Sequence, residues 1–556
     1  MKELIKNTLA KAIIKTYKQS NFSELIEVQS VTAKNVEADF FSNISMKLAK
    51  KLKNNPMSIA DDIVKNIPET NDIKISIVQP GYINFLIMDK KKNDIITTIN
   101  NCDDLLSECR TKNKKKINIE FVSANPTGPL HVGHGRGVIY GNIIAKFLKI
   151  QGHDVTKEYY VNDFGNQIKK LCLSVFSQID QRYSENEDDL YQGDYIKELA
   201  DLVYKNNLEL PTIDGNIKNM TADEEDGYTP KSTRKFIVDT MIDRIKSQLN
   251  KLDISFDSWF YESWLLTNPS LENYEELKSY HPRKIIEKLQ ESGYIHNDKS
   301  GAVMLKAEEP RVLIKSDATY TYFATDLAYH DLKLNKFDEV INIWGADHHG
   351  YIPRMKIGLE ALGHNTKKLD IHLIQFANLF RDGEKISMST RKGEYVELNE
   401  LSDEIGKDAV NFFYLTKNKD QHLDFDLDIA INQNKNNPVY YIQYAHARIE
   451  KILMQVKNYK EQEYKPESLN HRLEKELVIT LINFNEILSK TIIDLQPHLM
   501  THYLQKISQD FHSYYANVKI LNDDQQDYSK IHLIAAVQKV IRCGLDLLNI
   551  NSPKVM

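Results

Sequence analysis

The chain of 556 residues has few cysteines and no long apolar run. Its four cysteines lack the close spacing of metal sites, and their scarcity favours a reducing compartment, which we expect to be the cytoplasm. They are Cys102, Cys109, Cys172 and Cys543. No apolar stretch approaches the length of a membrane span, so no membrane partner is expected. The first residues include Glu3 and no continuous apolar core, which argues against a secretory signal.

A large excess of one charge sign is also missing. The chain has 72 Lys and Arg against 78 Asp and Glu, a net charge of −6. Overall charge therefore does not predict nucleic-acid binding, and a nucleic-acid binder of this balance must use local basic patches. The composition is 41% hydrophobic and 27% charged, which is typical of globular proteins. The length predicts several domains.

Residues 117–151 form the stretch with the most chemical information. Ile117 to Val122 is rich in β-branched and aromatic residues, which predicts a strand. The next residues include Pro126, Gly128 and Pro129, which predict a loop because proline cannot donate a hydrogen bond to a neighbouring strand. Apolar residues then recur at helical spacing from near His131, and Gly152 is placed to end that helix.

His131 and His134 are three residues apart at the predicted helix start, so they share one face. Gly133 and Gly135 leave room for a ligand near the backbone. A helix N-terminus attracts phosphate, and two imidazoles there can stabilise charge as a phosphoanhydride bond breaks. The alternative is a turn with two surface histidines, since a bare His-x-x-His pattern is unspecific. The strand–loop–helix setting favours the phosphate site.

The run Phe121-Val-Ser-Ala-Asn-Pro-Thr-Gly-Pro-Leu-His-Val-Gly-His134 resembles the first signature, His-x-Gly-His, of class I aminoacyl-tRNA synthetases. Extended back to Ile119, and continued by Lys157-Glu-Tyr-Tyr-Val-Asn-Asp163, it resembles the arginyl-tRNA synthetase family over nearly the whole chain. The resemblance implies an α/β class: a Rossmann-type parallel-sheet catalytic domain, an N-terminal α/β domain and a C-terminal all-helical bundle. It also implies a ligase that activates L-arginine with ATP and transfers it to the 3′ end of tRNA(Arg).

Five regions are expected from this resemblance. They are an N-terminal tRNA-contacting domain (1–110), the first half of the catalytic unit (111–166), an insertion that helps place the tRNA acceptor end (167–310), the second half with a signature loop (311–400), and a helical anticodon-binding domain (401–556). Within the first region, Asp39 to Lys53 predicts a helix, and residues 72–87 predict two strands around Gln79-Pro80-Gly81. The basic linker Arg110 to Lys116 could be a solvated connector or a phosphate contact.

The side chain of arginine is a planar cation with five donors, so its site needs carboxylates. By resemblance these are Glu120 and Asp326, and the neutral arginine contacts are Ser123, Asn125, Tyr322 and Gln375. Such a site would reject lysine, which cannot fill a fork of acceptors. Alternatively, Glu120 could cap a neighbouring element and Asp326 could be a helix-surface acid.

The resemblance assigns ATP and tRNA contacts as well. The ATP contacts are His131, Gly133, His134, Gly345, Asp347, His348 and Ser389, with Mg²⁺ accompanying ATP and no structural metal held by the protein. The anticodon contacts are Tyr441, Gln443, Tyr444 and Arg448. Exposed aromatic side chains suit unstacked bases, although tyrosines at helical spacing can equally pack in a core. Family likeness implies a monomer.

The second class I signature, Lys-Met-Ser-Lys-Ser or close to it, aligns with Ser387-Met-Ser-Thr-Arg391, so both signature lysines are missing. Gly128 stands where some relatives carry a compensating lysine. Because charge builds on the leaving pyrophosphate, another cation is needed. The catalytic candidates are His131, His134, Met388, Ser389, Arg391 and Lys392, with Lys385 as a further cation. The missing lysines also leave a second reading open, a catalytically silent tRNA-binding paralogue.

Overall fold

The computed structural model of the protein describes most of the chain. The described residues are 2–31, 38–69, 72–183, 190–211, 230–266, 274–307, 310–386, 396–456, 458–522 and 526–556. They form two compact units, one from Met1–Cys109 with Gln433–Met556 and one from Arg110–Asn432. The five domain boundaries stay a prediction.

Among its described residues, the N-terminal part of the first unit contains four α-helices and an antiparallel sheet. The helices are α1 (Lys2–Tyr17), α2 (Ile44–Leu52), α3 (Pro56–Val64) and α4 (Asp89–Asn101). The strands, in the order β1-β2-β4-β3, are β1 (Gln29–Ser30), β2 (Phe40–Ser42), β3 (Ile73–Val78) and β4 (Tyr82–Ile87). The predicted pair of strands is confirmed as β3 and β4. The helix predicted from Asp39 is wrong in its first turn, because Phe40–Ser42 pairs with β4.

The second unit contains eleven named strands among its described residues. They are β5 (Lys116–Glu120), β6 (Asp154–Val161), β7 (Ser258–Tyr261), β8 (Ile295–Asn297), β9 (Val303–Leu305), β10 (Arg311–Ile314), β11 (Glu339–Gly345), β12 (Leu369–Ile374), β13 (Ala377–Arg381), β14 (Glu384–Lys385) and β15 (Leu423–Asp426). Its helices are α5 (Val132–Gln151), α6 (Asn166–Ile179), α7 (Asp194–Lys205), α8 (Lys231–Lys251), α9 (Ser263–Leu266), α10 (Tyr274–Lys278), α11 (Pro282–Glu291), α12 (Tyr322–Lys336), α13 (Ile352–Ala361), α14 (Leu398–Ile405), α15 (Lys407–Tyr414) and α16 (Leu427–Ile431).

A five-stranded parallel sheet organises this unit, in the order β12-β11-β5-β6-β7. This confirms the predicted α/β class. All five carboxyl ends lie at one edge, where open parallel sheets bind ligands. The central strand β5 ends at Glu120, two residues earlier than predicted, because Val122 and Ser123 take positive φ values of 67° and 40°. Helix α5 then runs from Val132 to the left-handed Gly152, close to the predicted bounds.

Two smaller sheets complete the second unit. The strands β8, β9 and β10 pair antiparallel. In the other sheet β13 lies between β14 and β15, and its pairing with β15 is parallel. Since only Gln375 and Phe376 separate β12 from β13, the carboxyl edge of the main sheet leads directly into this second sheet.

The C-terminal part of the first unit is helical, as predicted. Its helices are α17 (Pro438–Gln455), α18 (Arg472–Ile482), α19 (Phe484–Ile492), α20 (Pro497–Asn517) and α21 (Tyr528–Leu547). Within this unit α4 packs against α18 and α21. Of the helices described, none is both long and apolar enough to cross a membrane.

Candidate active site

The two signature histidines form a reciprocal cap at the start of α5. His131 Nδ1 accepts a hydrogen bond from the Gly133 N–H at 3.1 Å, and His134 Nδ1 accepts one from the His131 N–H at 3.3 Å. Their rings are 3.9 Å apart, centre to centre, and tilted by 33°. The prediction that they share one face is confirmed. A side chain at position 133 would meet the His131 ring at 2.8 Å, so this packing requires glycine.

These bonds also fix the protonation of both rings. Because each Nδ1 accepts, the proton of each neutral imidazole must sit on Nε2. Burial lowers the pKa of His131, and burial together with His131 lowers the pKa of His134 to about 3. At neutral pH both residues are therefore neutral and carry an Nε2–H donor. Such donors can bond phosphate oxygens where negative charge develops.

A cavity of about 130 Å³ opens beside this pair at the carboxyl edge of the sheet. It brings together Gly133, His134, Gly345 and Gln375, four residues that the sequence assigned to ATP or arginine. Arg136, which the sequence reasoning missed, lines it as well. Three elements that are distant in sequence, α5, β11 and β12, thus converge on one small space.

Asp347 and His348 lie just past this cavity, in the turn Ala346–Tyr351 after β11. Both side chains are more than half exposed, and Asp347 Oδ2 lies 3.8 Å from His348 Nε2. Among the described residues the cavity lining does not include them. Their assignment to ATP stays a prediction.

Glu120 is buried and engaged on both oxygens. Its Oε2 lies 2.8 Å from Lys333 Nζ, and its Oε1 accepts a hydrogen bond from Ser123 Oγ at 3.0 Å. Lys333 also donates to Asn342 Oδ1 at 2.9 Å. The sequence reasoning missed Lys333. Its place seven residues after Asp326, two helical turns along the same face, was the available signal.

Ser123 is held in a strained turn. Val122 is β-branched and rarely adopts a φ of +67°, and the Ser123 N–H donates to the Phe121 carbonyl at 2.9 Å. The Ser123 hydroxyl also accepts from the Tyr160 N–H at 3.1 Å. Strain of this kind persists where surrounding contacts enforce it, and it is enriched at functional sites.

Asp326, which is half-buried, and Glu262, which is buried, form an acidic pair. The Tyr351 hydroxyl donates to Asp326 Oδ2, and Thr325 Oγ1 donates to Glu262 Oε1 at 3.1 Å. Burial raises the pKa of Asp326 to about 7, against the lowering effect of Tyr351. Burial and the charge of Asp326 raise the pKa of Glu262 to about 8. Glu262 was missed because only its place at the carboxyl end of β7 could have indicated it.

The hydroxyl of Tyr160 lies in a region with several carboxyl groups. Burial raises the pKa of Tyr160, and so do the charges of four carboxyl groups. These belong to Glu262, Asp326, Glu120 and Asp163. Carboxyl groups concentrated in a region of low dielectric constant favour a bound cation.

The remaining two predicted arginine contacts, Tyr322 and Asn125, are partly or largely exposed. Tyr322, the first residue of α12, is 54% exposed. Burial, with the charge of Glu262, raises the pKa of Tyr322, which places its ring near the acidic pair. Asn125 is half-buried in the loop after β5, and its carbonyl accepts from the Thr127 N–H at 2.7 Å.

The second signature falls outside the described residues. Met388, Ser389, Arg391 and Lys392 belong to the stretch 387–395, for which no structure is given. Lys385, in the short strand β14, is described and exposed. In the part of the chain that is described, no group of three or more His, Cys, Asp or Glu could hold a metal ion.

In the first unit, the predicted anticodon contacts lie along α17 and are half-buried. The Arg448 guanidinium sits 4.3 Å from the Tyr444 ring centre and 4.4 Å from that of Tyr515. The His512 ring lies 4.1 Å from that of Tyr441. Gln443 Nε2 donates to the Asn551 carbonyl at 2.9 Å. The aromatic partners from α20, Tyr515 and His512, were missed because periodicity does not reveal which helices pack together.

Comparison with known proteins shows three matching family models. Residues 2–87 match the arginyl tRNA synthetase N terminal domain, residues 96–456 match the catalytic domain of tRNA synthetases class I (R), and residues 442–556 match the DALR anticodon binding domain. The catalytic model alone covers more than half of the chain. The described fold accords with these matches.

Individual relatives agree. The arginine--tRNA ligase of Coxiella burnetii (strain RSA 493 / Nine Mile phase I) is 37% identical, covering 93% of this chain and 92% of the relative. That of Aquifex aeolicus (strain VF5) is 36% identical, covering 100% of both. The Thermus thermophilus arginyl-tRNA synthetase structure has a TM-score of 0.72 at 17% identity, covering 100% of both chains. The Plasmodium falciparum structure has a TM-score of 0.73 at 18% identity, covering 100% of this chain and 99% of that one. At these identities the two structures support the fold alone.

Proposed function

This chain belongs to the arginyl-tRNA synthetase family, and we propose that Asp326 and Glu262 bind the guanidinium group of its amino-acid substrate. The function is the ATP-dependent activation of L-arginine to arginyl-adenylate and its transfer to the 3′ end of tRNA(Arg). The silent paralogue has no support in the relatives.

One observation carries the assignment of the substrate pocket: the charge of half-buried Asp326 raises the pKa of buried Glu262, and among the described residues neither acid forms an ion pair with a cationic side chain. Lys333 is engaged by Glu120 instead. A guanidinium can satisfy both carboxylates through parallel hydrogen bonds. A lysine ammonium is a point charge that cannot span two such acceptors, so it would leave one acid uncompensated.

Glu120 then acts as the anchor of the pocket. It holds Ser123 and Lys333 in place, and we assign Ser123, Asn125 and Gln375 to the α-amino and carboxylate end of arginine. Tyr322 would cover the pocket from its exposed position on α12. This arrangement would fix the carboxylate of arginine near the cavity beside His134.

ATP would occupy that cavity, with Gly133, Gly345, Asp347 and His348 near it. The Nε2–H groups of His131 and His134 would donate to its phosphates as the carboxylate of arginine attacks the α-phosphorus and pyrophosphate leaves. Mg²⁺ would accompany ATP and spread the charge of the leaving group. Met388 and Ser389, with Arg391 or Lys392 as the additional cation, remain the proposed second catalytic element.

In the first unit, the stacked groups on α17 and α20 would bind unstacked anticodon bases. Tyr441, Gln443, Tyr444 and Arg448 are the assigned residues, and aromatic rings beside a guanidinium group suit bases through stacking and cation–π contact. We propose that the enzyme acts as a monomer in the cytoplasm. Four free thiols fit a reducing compartment.

The experiment that tests the substrate pocket compares conservative variants in tRNA arginylation. Asp326→Asn and Glu262→Gln should each raise KM for arginine by at least about tenfold, because each removes one charge-assisted hydrogen-bond partner. Asp331→Asn is the matched control. Asp331 is a buried acid on the same helix, but it pairs with Lys288 and His364. If all three variants change KM for arginine equally, or none does, the assignment fails.

A further inference from the structure

Arg136 lies two residues after His134 in α5 and is 2% exposed. Its two terminal nitrogens donate to four main-chain carbonyls, those of Gln375 (2.7 Å), Gln421 (2.7 Å), Asn418 (2.8 Å) and Lys417 (3.3 Å). Buried arginines are usually paired with carboxylates. Among the residues that the structure describes, Arg136 forms no ion pair, and Asp420 acts on it only at longer range.

The four carbonyls belong to two segments. Gln375 directly follows β12, and residues 417–421 form the loop between α15 and β15. The Gln375 N–H donates to the Lys419 carbonyl at 3.0 Å, which joins the two segments to each other. Beyond this junction β13 and β15 run parallel as paired strands. Arg136 therefore connects α5, which begins beside His131 and His134, to the segments that lead into β13 and β15.

We propose that Arg136 is a positioning residue, which fixes Gln375 and the paired strands β13 and β15 against the helix that carries His131 and His134. The proposal rests on the proposed role of Gln375 in arginine binding. Arg136 and Gln375 line the same cavity, so the bond between them would hold two sides of the space in which ATP and arginine would react.

Bonding to these four carbonyls requires the branched shape of a guanidinium group. It presents several donors in one plane, so it can reach carbonyls on two segments at once, whereas an ammonium donates from a single point. Burial lowers the pKa of Arg136 to about 10, which leaves the group charged at neutral pH. Bonds from a charged donor to main-chain oxygens are stronger than neutral ones. Arg136 would thus hold other groups of the site in position and would not itself contact the substrate.

The test uses Arg136→Lys, Gln375→Ala and the double variant in the full-length enzyme. The value of kcat is expressed per active site, so that a smaller fraction of active enzyme is not counted as a slower reaction. The thermal midpoint of unfolding is measured for each protein. We expect Arg136→Lys to lower kcat for tRNA arginylation by about tenfold to a hundredfold and to raise KM for arginine, because displacements of about 1 Å have such effects. KM for tRNA should not change. The double variant should raise KM for arginine no further than Gln375→Ala alone.

Lys539→Gln is the matched control. Lys539 also donates to two main-chain carbonyls, those of Asn100 and Cys102, but it belongs to the first unit. It should lower the thermal midpoint and leave kcat and KM for arginine unchanged. If Arg136→Lys does not fold, Arg136→Gln replaces it in every measurement.

A folded Arg136 variant with wild-type kcat and KM for arginine would overturn the proposal. A variant whose activity loss disappears after correction for the active fraction would also overturn it. If Gln375→Ala leaves KM for arginine unchanged, the role of Gln375 in the proposed function fails. The positioning role of Arg136 is then supported by a loss of kcat and overturned by its absence.

Discussion

The ammonium group of Lys333 lies 2.8 Å from Glu120 Oε2, although 213 residues separate the two in sequence and both are buried. Lys333 comes from α12 and Glu120 from the end of β5. In the proposed site, this pairing leaves Asp326 and Glu262 as the acids for the substrate. The ion pair also fixes the end of β5, and the chain then turns so that the Ser123 hydroxyl donates to Glu120.

Removing one partner of this pair should lower the free energy of unfolding far more than removing both. We expect Lys333→Met to destabilise the protein by about 3–5 kcal/mol, because Glu120 is left as an uncompensated buried charge. Adding Glu120→Gln should restore a large part of that loss. Urea unfolding of both variants measures the effect. Equal stability of the single and double variants would show that the pair is not coupled.

Arginine binding should release protons at neutral pH. The raised pKa values, about 7 for Asp326 and about 8 for Glu262, keep much of the empty pair protonated, whereas a bound guanidinium favours both carboxylates. Affinity for arginine should therefore rise at least about tenfold from pH 6.0 to pH 8.5. Calorimetry at pH 7.0 in two buffers of different ionisation heat should show release of roughly one proton.

The Glu262→Gln variant is the control for this linkage. It loses one of the two titrating groups, so both the pH dependence and the number of released protons should fall. Because the folded pKa values of both acids lie above the ordinary ones, their protonation stabilises the empty enzyme at acidic pH. This stability decreases as pH rises from the ordinary carboxyl range and is lost once pH has passed about 8. Binding heats that are identical in both buffers would contradict the assignment.

Gly141 in α5 should tolerate no side chain. A Cβ there would lie 2.3 Å from Phe121 Cγ, in a fully buried contact between the helix and the strand end. Gly141→Ala should cost about 1–3 kcal/mol through overpacking. Gly137→Ala, on the same helix with nothing within 4 Å of its Cβ, should instead add about 0.5–1 kcal/mol. Unfolding midpoints that move in the same direction would contradict this packing.

Arg448 should act on tRNA and not on arginine. Arg448→Ala removes the cation between Tyr444 and Tyr515, and it should raise KM for tRNA by about tenfold or more, since one stacked base contributes ~1–3 kcal/mol. Lys451→Ala, an exposed change on the same helix, is the control. A rise in KM for arginine, or equal effects of the two changes, would place Arg448 outside the tRNA surface.

Local patterns carried most of the fold. The strand β5 and the helix α5 were predictable because β-branched composition and helical spacing are visible within a short window. The end of β5 was not, because a positive φ at Val122 has no glycine to signal it. Phe40–Ser42 was predicted as helix for a related reason, since its pairing with β4 depends on residues more than 40 positions away.

The site was predictable where a contiguous signature carries it and not where distant segments meet. The His131–His134 pair is local, and the structure joins it as expected. Glu262, Lys333 and Arg136 contact partners that are far away in sequence. Their contacts depend on how the strands are ordered in the sheet, which no short window contains.

The most direct test of the acidic pocket is amino-acid-dependent ATP–pyrophosphate exchange, measured with and without tRNA(Arg) for the wild type and Asp326→Asn. We predict exchange with arginine in the presence of tRNA, none with lysine, and a loss of at least about tenfold in Asp326→Asn at an arginine concentration below KM. Exchange that lysine supports as well as arginine does, or an Asp326→Asn enzyme with wild-type exchange at that concentration, would contradict it.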